Sequence, residues 1–234
     1  MGAQHYVGRS RTKAPFTACV STSDHYVPMR ALIIALDNWT SRGAEPPSSA
    51  YPRLADGSLT TVDQYRAAFP AGIGLHRRSR TCASRASSAT AFRRAHGPDY
   101  ETRVPAPDAD GNDRGGVRLV ELQAPLGTYT GWNLRAPETG FAWATSRFDG
   151  SFVPFARTEA ERLAGNDPRP SLESRYPTRD DFVAAVRAAA ERQMAAGLLL
   201  PEDLERTMQR NVGLYDRIQQ RDPSDAGCAY LFAP

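Results

Sequence analysis

The fold of this chain is decided by two pieces of its sequence, Gly2-Ala3-Gln4-His5 and Pro28-Met29-Arg30-Ala31-Leu32-Ile33-Ile34-Ala35-Leu36-Asp37-Asn38-Trp39. In the second piece the apolar side chains recur at the spacing of one helical face, which predicts a buried amphipathic helix over residues 28–41. Gly43 and the prolines that follow it end this helix. The first piece places an imidazole in a loop before that helix. His5 is therefore the first candidate for a catalytic base.

The composition bounds the class of protein. A chain of 234 residues forms one large domain or two small ones, and its 41% hydrophobic content supports a folded core. No apolar run approaches the roughly 20 residues that cross a bilayer. The N-terminus shows no basic region followed by an apolar stretch, so no signal peptide is visible. The sequence predicts no membrane association and leaves the compartment open.

The cysteines are Cys19, Cys82 and Cys228, an odd number without a CxxC pair. This pattern predicts neither a disulfide framework nor a zinc site, and it favours buried or incidental thiols. No glycine-rich phosphate loop and no metal-ligand spacing occurs in the chain, so the sequence predicts no cofactor and no metal.

Residues 73–98 differ from the rest of the chain. They contain six arginines, no acidic residue before Asp99 and one large aromatic side chain, Phe92. Such a segment buries too little apolar surface to order itself, which predicts an exposed and mobile stretch. Basic residues can also bind nucleic-acid phosphates. This segment has only one aromatic residue for stacking on bases and no recognition motif, so the sequence predicts no nucleic-acid partner. A third interpretation is that this segment is translated out of frame. The chain has 28 arginines and one lysine, which indicates GC-rich coding DNA, and such DNA read out of frame also encodes mainly Arg, Ala, Ser and Pro.

The middle of the chain predicts short strands. Residues 58–62 form one strand candidate, and residues 102–105 and 115–120 predict a β-hairpin around an Asp-Gly-Asn turn. The turn resembles the start of a calcium loop, but Leu119 occupies the twelfth position, which favours a plain polar turn. Residues 63–69 have too few apolar side chains to predict a helix.

The C-terminal third is predicted to be helical. Capping patterns at Thr158 and Thr178 begin two helices, Gly197 ends the second, and a third helix follows from Leu204.

The chain offers few residues for hydrolytic chemistry. A G-x-S-x-G elbow, which presents a nucleophilic serine, does not occur in the sequence. His25, His76 and His96 are weaker base candidates than His5, and a surface or core role for His5 remains open. Trp132 and Asn133 are candidates for lining a substrate pocket. The alternative for this pair is a packed indole and an amide that caps local backbone.

Several segments taken together resemble the bacterial α/β-hydrolase-domain family of large serine hydrolases. The most specific match is Thr128-Tyr129-Thr130-Gly131-Trp132-Asn133-Leu134-Arg135. The resemblance covers nearly the whole chain except roughly residues 73–98. The matching segments are residues 2–5, 29–37, 51–57, 104–106, 108–112, 125–135, 150–158, 160–163 and 167–171.

The resemblance implies an α/β fold in which this chain is a C-terminal fragment of helices plus a β-hairpin, with the core sheet largely missing. His5 would be the catalytic histidine in the loop after the last core strand, and residues 28–41 the last helix on the sheet. The implied domains are residues 1–72 (end of the hydrolase core), 73–98 (Arg- and Ser-rich) and 99–234 (hairpin and helices). The nucleophile and the acid would lie upstream.

The implied function is hydrolysis of a small-molecule ester or amide, with no activity expected from this chain alone. A partner chain would supply the missing core, and the helix of residues 28–41 would expose apolar surface without it. The alternative is a non-catalytic interaction or accessory module that docks through those apolar surfaces.

Overall fold

The computed structural model describes residues 15–73, 101–140, 144–146, 150–222 and 227–232. Short 3-10 turns lie at Pro137–Thr139, Pro201–Asp203 and Ala229–Phe232. The helices are α1 (Tyr26–Arg42), α2 (Val62–Ala68), α3 (Val120–Gln123), α4 (Glu159–Ala164), α5 (Leu172–Arg175), α6 (Arg179–Ala195) and α7 (Leu204–Gln220). The strands are β1 (Cys19–Val20), β2 (Leu59–Thr61), β3 (Arg103–Pro105), β4 (Gly127–Thr130), β5 (Asn133–Leu134), β6 (Thr145–Ser146) and β7 (Ser151–Pro154).

These strands form small antiparallel sheets. The largest has the order β1-β7-β4, with Cys19 opposite Phe152 and Tyr129 opposite the same residue on the other side. Two further pairs join β2 to β3 and β5 to β6. The fold is therefore a mixture of α-helices and β-strands, as predicted. The pairings of β1 with β7 and of β2 with β3 join chain before residue 73 to chain after residue 100.

The predicted hairpin of residues 102–105 and 115–120 is wrong in its second strand. The partner of β3 is β2, and the chain after the turn enters α3 instead. The turn itself forms, because the Asp108 carboxylate accepts hydrogen bonds from the amides of Asp110 and Asn112. The fully buried Asn112 side chain then bonds to main-chain atoms of β4, donating to Gly127 O and accepting from Tyr129 N. The turn is thus anchored to the larger sheet.

The main core lies where that sheet meets α3, α6 and α7. Phe152, Phe155 and Phe182 are almost completely buried there. The ring of Phe182 packs edge-on against Tyr176 at 4.9 Å between centroids and stacks on Tyr215 at 4.7 Å. These aromatic contacts hold α6 against α7.

The helix ends follow the sequence signals. Thr178 and Asp181 form a complete capping box at the start of α6, and the Thr158 hydroxyl caps α4. Gly43 closes α1 with φ 70°, a left-handed conformation that glycine adopts without strain. Residues 63–69, for which no helix was predicted, lie largely in α2, which begins with a capping box between Thr61 and Gln64.

The helix α1 forms where predicted, but it is not buried. Only Val27, Pro28 and Ala31 are buried in it, whereas Ile33 is 60% exposed and Trp39 52% exposed. Met29 and Leu36 are exposed beside them. The face with Val27, Pro28 and Ala31 packs on the rest of the protein, whereas the larger apolar side chains lie on the exposed face. The expectation that this helix exposes apolar surface is confirmed.

The prediction for the cysteines is wrong. Cys19 in β1 forms a disulfide with Cys228, which lies 209 residues later in the chain. Both half-cystines are buried, at 7% and 0% exposure. The odd number of cysteines and their spacing do not predict this bond, because the two thiols meet only when distant parts of the chain pack together. Cys82 lies outside the described residues.

Two further predictions fall outside the described ranges, namely the position of His5 and the state of the arginine-rich stretch. In the parts of the chain that the structure describes, no helix is both long enough and apolar enough to cross a membrane.

Candidate functional site

Of the four histidines, His25 alone lies in the described ranges. It occupies the N-cap position of α1, and its ring stacks on Tyr26 at 4.5 Å. Its buried Nδ1 atom has no hydrogen-bond partner among the described residues. The orienting carboxylate that a catalytic imidazole needs is therefore not in place at His25. His5, the predicted base, lies outside the described residues, as do His76 and His96.

The carboxylate closest in sequence to His25 is committed elsewhere. Asp24 Oδ1 accepts the Tyr26 amide at 3.1 Å, and Asp24 Oδ2 lies 2.9 Å from Arg210 Nη1. The Asp24 amide in turn donates to Glu121 Oε1 at 3.1 Å. Asp24 therefore fixes the start of α1, and it makes no hydrogen bond to His25 Nδ1.

A shallow cleft lies beside this junction, between the start of α1, the helix α3 and the C-terminal helices. Its apolar side is formed by side chains of α1 and α3, and its polar side by charged and amide groups. The lining residues are Asp24, Val27, Pro28, Leu119, Val120, Glu121, Gln193, Arg206, Thr207, Arg210 and Asn211.

The charges around the cleft neutralise one another. Arg210 contacts Asp24 and also Glu121, at 3.3 Å. Its Nη2 donates to the carbonyl oxygen of Thr22. On the far side Asp203, which is 4% exposed, pairs with Arg30 at 2.9 Å and with Arg206 at 3.2 Å. The network joins α1 to α7, and its three carboxylates are all paired with arginines. These pairs hold the junction together, and no base from the described ranges is placed beside the Thr207 hydroxyl, which bonds to the Asp203 carbonyl oxygen.

A second cluster surrounds Trp132, one of the two predicted pocket residues. Its ring centroid lies 6.2 Å from that of Phe69, and the Phe69 ring in turn stacks on Tyr65 at 5.4 Å between centroids. Burial raises the pKa of the Tyr65 phenol, and the charge of Asp113 raises it further, although the nearby Trp132 indole acts in the opposite direction. Trp132 is half-buried, so part of its surface remains accessible.

Asp113 was missed by the sequence reasoning, because it lies in what looked like a plain polar turn. Burial raises the pKa of its carboxyl to about 6, the nearby charge of Asp108 adds to this, and Arg118 acts against it. A carboxyl with such a pKa can give or take a proton near neutral pH. No pattern in the sequence marks this residue, because its burial follows from the packing of the fold.

Asn133, the other predicted pocket residue, is fully buried. Its amide nitrogen donates to the carbonyl oxygens of Ala18 and Gly150, each at 3.2 Å, and its Oδ1 accepts the Leu134 amide at 2.9 Å. These bonds connect β5 to the chain on both sides of it. This placement favours the alternative in which Asn133 caps local backbone. The neighbouring Trp132 keeps part of its surface accessible.

Metal chemistry was not predicted, and the described ranges hold no group of three or more His, Cys, Asp or Glu side chains placed to bind an ion. The Asp108 and Asp110 carboxylates that suggested a calcium loop are paired instead with Arg118 and Arg175.

Comparison with protein families matches residues 3–209 to the family described as "Alpha/beta hydrolase domain". The curated proteins and the solved structures gave no match to the chain. The matched range takes in His5, all of α1 and the Trp132-Asn133 pair, and it ends within α7.

Proposed function

Because the chain belongs to the alpha/beta hydrolase domain family, we propose that it is part of a serine-type hydrolase that acts on ester or amide bonds of small molecules. The family match is the observation that carries this proposal. It extends over His5, for which we propose the role of general base. The base takes the proton from a serine hydroxyl as the serine attacks the carbonyl carbon, and then gives it to the leaving group.

The nucleophile and its acid partner are proposed to lie outside the described residues. The Nδ1 atom of His25, the histidine that the structure describes, has no hydrogen-bond partner among the described residues. Asp24 and Glu121 are held by Arg210. A catalytic set built around His5 therefore needs groups other than these.

The exposed apolar face of α1 favours the proposal that a second layer of protein packs over this helix. Met29, Ile33, Leu36 and Trp39 form an apolar arc on the side that the body of the protein leaves uncovered. Large apolar patches of this kind mark contact surfaces. We propose that the sheet bearing the nucleophile covers this arc, supplied by a partner chain. For substrate contact we propose the accessible side of Trp132, with Asn133 holding the backbone beside it.

The test is p-nitrophenyl ester hydrolysis by the purified chain, alone and mixed with the polypeptide encoded immediately upstream. We expect activity in the mixture and none from the chain alone. His5→Ala abolishes the activity, whereas the matched variant His25→Ala retains it. A fluorophosphonate probe labels the partner and not this chain. Labelling of this chain, or activity that survives His5→Ala, contradicts the assigned roles.

The contact surface has its own test. Ile33→Glu places a charge in the exposed arc of α1, and it lowers activity in the mixture by weakening association. The control is Leu163→Glu, at a residue that is 64% exposed on α4. The same α1 arc also fits the second candidate function, a non-catalytic interaction module. That function is favoured if Ile33→Glu abolishes binding of the upstream product while no mixture hydrolyses any ester or amide tested.

A further inference from the structure

The two ends of the described chain are fastened to each other by a single covalent bond. At one end β1 is an edge strand of two residues, Cys19 and Val20, that pairs with β7. The flanking amides of Thr17 and Ser21 bond to the carbonyl oxygens of Leu134 and Gly150. At the other end the turn Ala229–Phe232 follows Cys228. The disulfide joins these ends across 209 residues.

The non-covalent attachment of the C-terminal turn is small. Leu231 is 3% exposed and belongs to the core. Arg217 Nη2 donates to Leu231 O at 3.4 Å, and Arg221 Nη1 lies 3.5 Å from the Tyr230 hydroxyl, both near the limit for a hydrogen bond. Tyr230 packs at the edge of the core, and the Arg221 guanidinium lies 5.4 Å from the centroid of its ring. The disulfide is the strongest of these attachments.

We propose that this protein folds and works in an oxidising compartment, where the Cys19–Cys228 disulfide acts as a strap that holds the C-terminal turn and β1 on the core. Disulfides persist in such compartments and are rare where glutathione and thioredoxin keep thiols reduced. The strap forms by exchange with a protein or small-molecule disulfide. The two cysteine thiols lose two protons and two electrons to form one S–S bond, and the oxidant is reduced to two thiols.

Burial protects the strap once it has formed. The half-cystines are 7% and 0% exposed, so a thiolate reaches them only after local opening. The strap also bears on the start of α1, because β1 leads directly into the loop that contains Asp24. Reduction therefore loosens the C-terminal turn first, because β1 keeps its pairing with β7 and its neighbouring backbone hydrogen bonds. This inference is independent of the proposed hydrolase function and holds or fails without an activity assay.

The first test is on the chain isolated from its native cells, with free thiols alkylated in denaturant at lysis. Trypsin without reductant is expected to give one linked product, residues 14–30 joined to residues 222–234, which separates into two peptides after reduction. Native protein in which Cys19 and Cys228 are both alkylated overturns the proposal.

The second test is the melting temperature of the purified chain with and without dithiothreitol. Because the strap closes a very long loop, reduction or Cys228→Ser is expected to lower the melting temperature by roughly 10 °C. Dithiothreitol has no further effect on Cys228→Ser. The matched control Cys82→Ser keeps the full response to dithiothreitol. A wild-type melting temperature that is the same with and without reductant, when mass spectrometry shows the bond reduced, overturns the role of the disulfide as a strap.

Discussion

The buried arginine Arg169 gives the sharpest test of what holds this fold together. It is 2% exposed, and its guanidinium bonds to both oxygens of Asp167, at 2.9 and 2.6 Å. It also donates to Thr128 Oγ1 at 2.8 Å and to the carbonyl oxygens of Val153 and Pro154 at 3.0 and 3.1 Å. One side chain therefore satisfies acceptors on β4, on β7 and on its own loop.

Arg169→Met keeps most of the volume and removes every one of these bonds. Removing one partner of a buried ion pair costs about 3–5 kcal/mol, because the other charge and its acceptors stay buried and unpaired. Domains are stable by about 5–15 kcal/mol, so the variant still folds but at a much lower denaturant midpoint. Arg169→Lys keeps the charge opposite Asp167 but lacks the planar fork, and we expect a smaller loss of about 1–2 kcal/mol.

The assay is urea unfolding followed by tryptophan fluorescence with the disulfide intact. Arg187→Met, at an exposed arginine of α6, is the control and changes stability by less than about 0.5 kcal/mol. Asp167→Asn and the double variant complete a cycle, in which the double variant loses less than the sum of the single losses. A loss below about 1 kcal/mol in Arg169→Met, or a cycle without coupling, refutes the argument.

The same pair sets a dependence on pH. Burial raises the pKa of the Asp167 carboxyl, but the hydrogen bonds from Arg169 outweigh burial, and the net pKa is lowered. A carboxyl with a lowered folded-state pKa contributes stability above its unfolded pKa of about 3.9 and loses it as the pH falls through the folded value. Wild-type protein therefore loses more stability on acidification below about pH 4 than Arg169→Met does.

Three further predictions concern other parts of the fold. Gly127→Ala puts a Cβ against Val153 O and 2.7 Å from the Phe152 ring, so it pushes β4 away from β7. Urea unfolding followed by circular dichroism is expected to show a free energy of unfolding lowered by about 1–3 kcal/mol, as for overpacked cores. Asn133→Ala removes the side-chain partner of the Ala18 carbonyl and of the Leu134 amide in the core, although the Gly150 carbonyl keeps its bond from Ser21 N. The free energy of unfolding is expected to fall by about 1–3 kcal/mol, whereas a purely substrate-contacting Asn133 leaves it unchanged. Burial raises the folded-state pKa of Asp113 to about 6. The stability that its protonated form contributes is therefore fully present below the unfolded pKa of about 3.9 and is lost as the pH rises through about 6. Asp113→Asn is expected to flatten this part of the curve of unfolding free energy against pH.

Local signals in the sequence predicted the helix ends well, because their causes are local. The capping box at Thr178 and the glycine after α1 act through hydrogen bonds and dihedral angles within a few residues. The same kind of cap forms at Thr61 with Gln64, but residues 63–69 lack an apolar stripe and no helix was predicted there. A short helix of this kind needs its cap more than it needs a buried face.

Pairings between distant residues were not predictable in the same way. The strand β3 was assigned to the chain that follows it, whereas its partner β2 ends 42 positions before β3 begins. Sequence alternation gives the face of a strand but not its neighbour. The Cys19–Cys228 bond and the raised pKa of Asp113 share this cause, because both depend on which segments the fold places together. Of the candidate site residues, Trp132 keeps an accessible surface, and Asn133 is placed by its backbone bonds.

The two ends of α1 are held very differently. Around its first turn, the disulfide anchors β1 a few residues earlier, Asp24 accepts the Tyr26 amide, and Arg30 reaches the buried Asp203. Beyond Ala31 the helix has no buried residue, yet it keeps its large apolar side chains for two more turns. A helix that serves only as a surface element gains nothing from such side chains and is exposed to aggregation by them. The rigid attachment of the first turn and the apolar arc after it are explained together if α1 is held out as a contact for a further layer of the hydrolase.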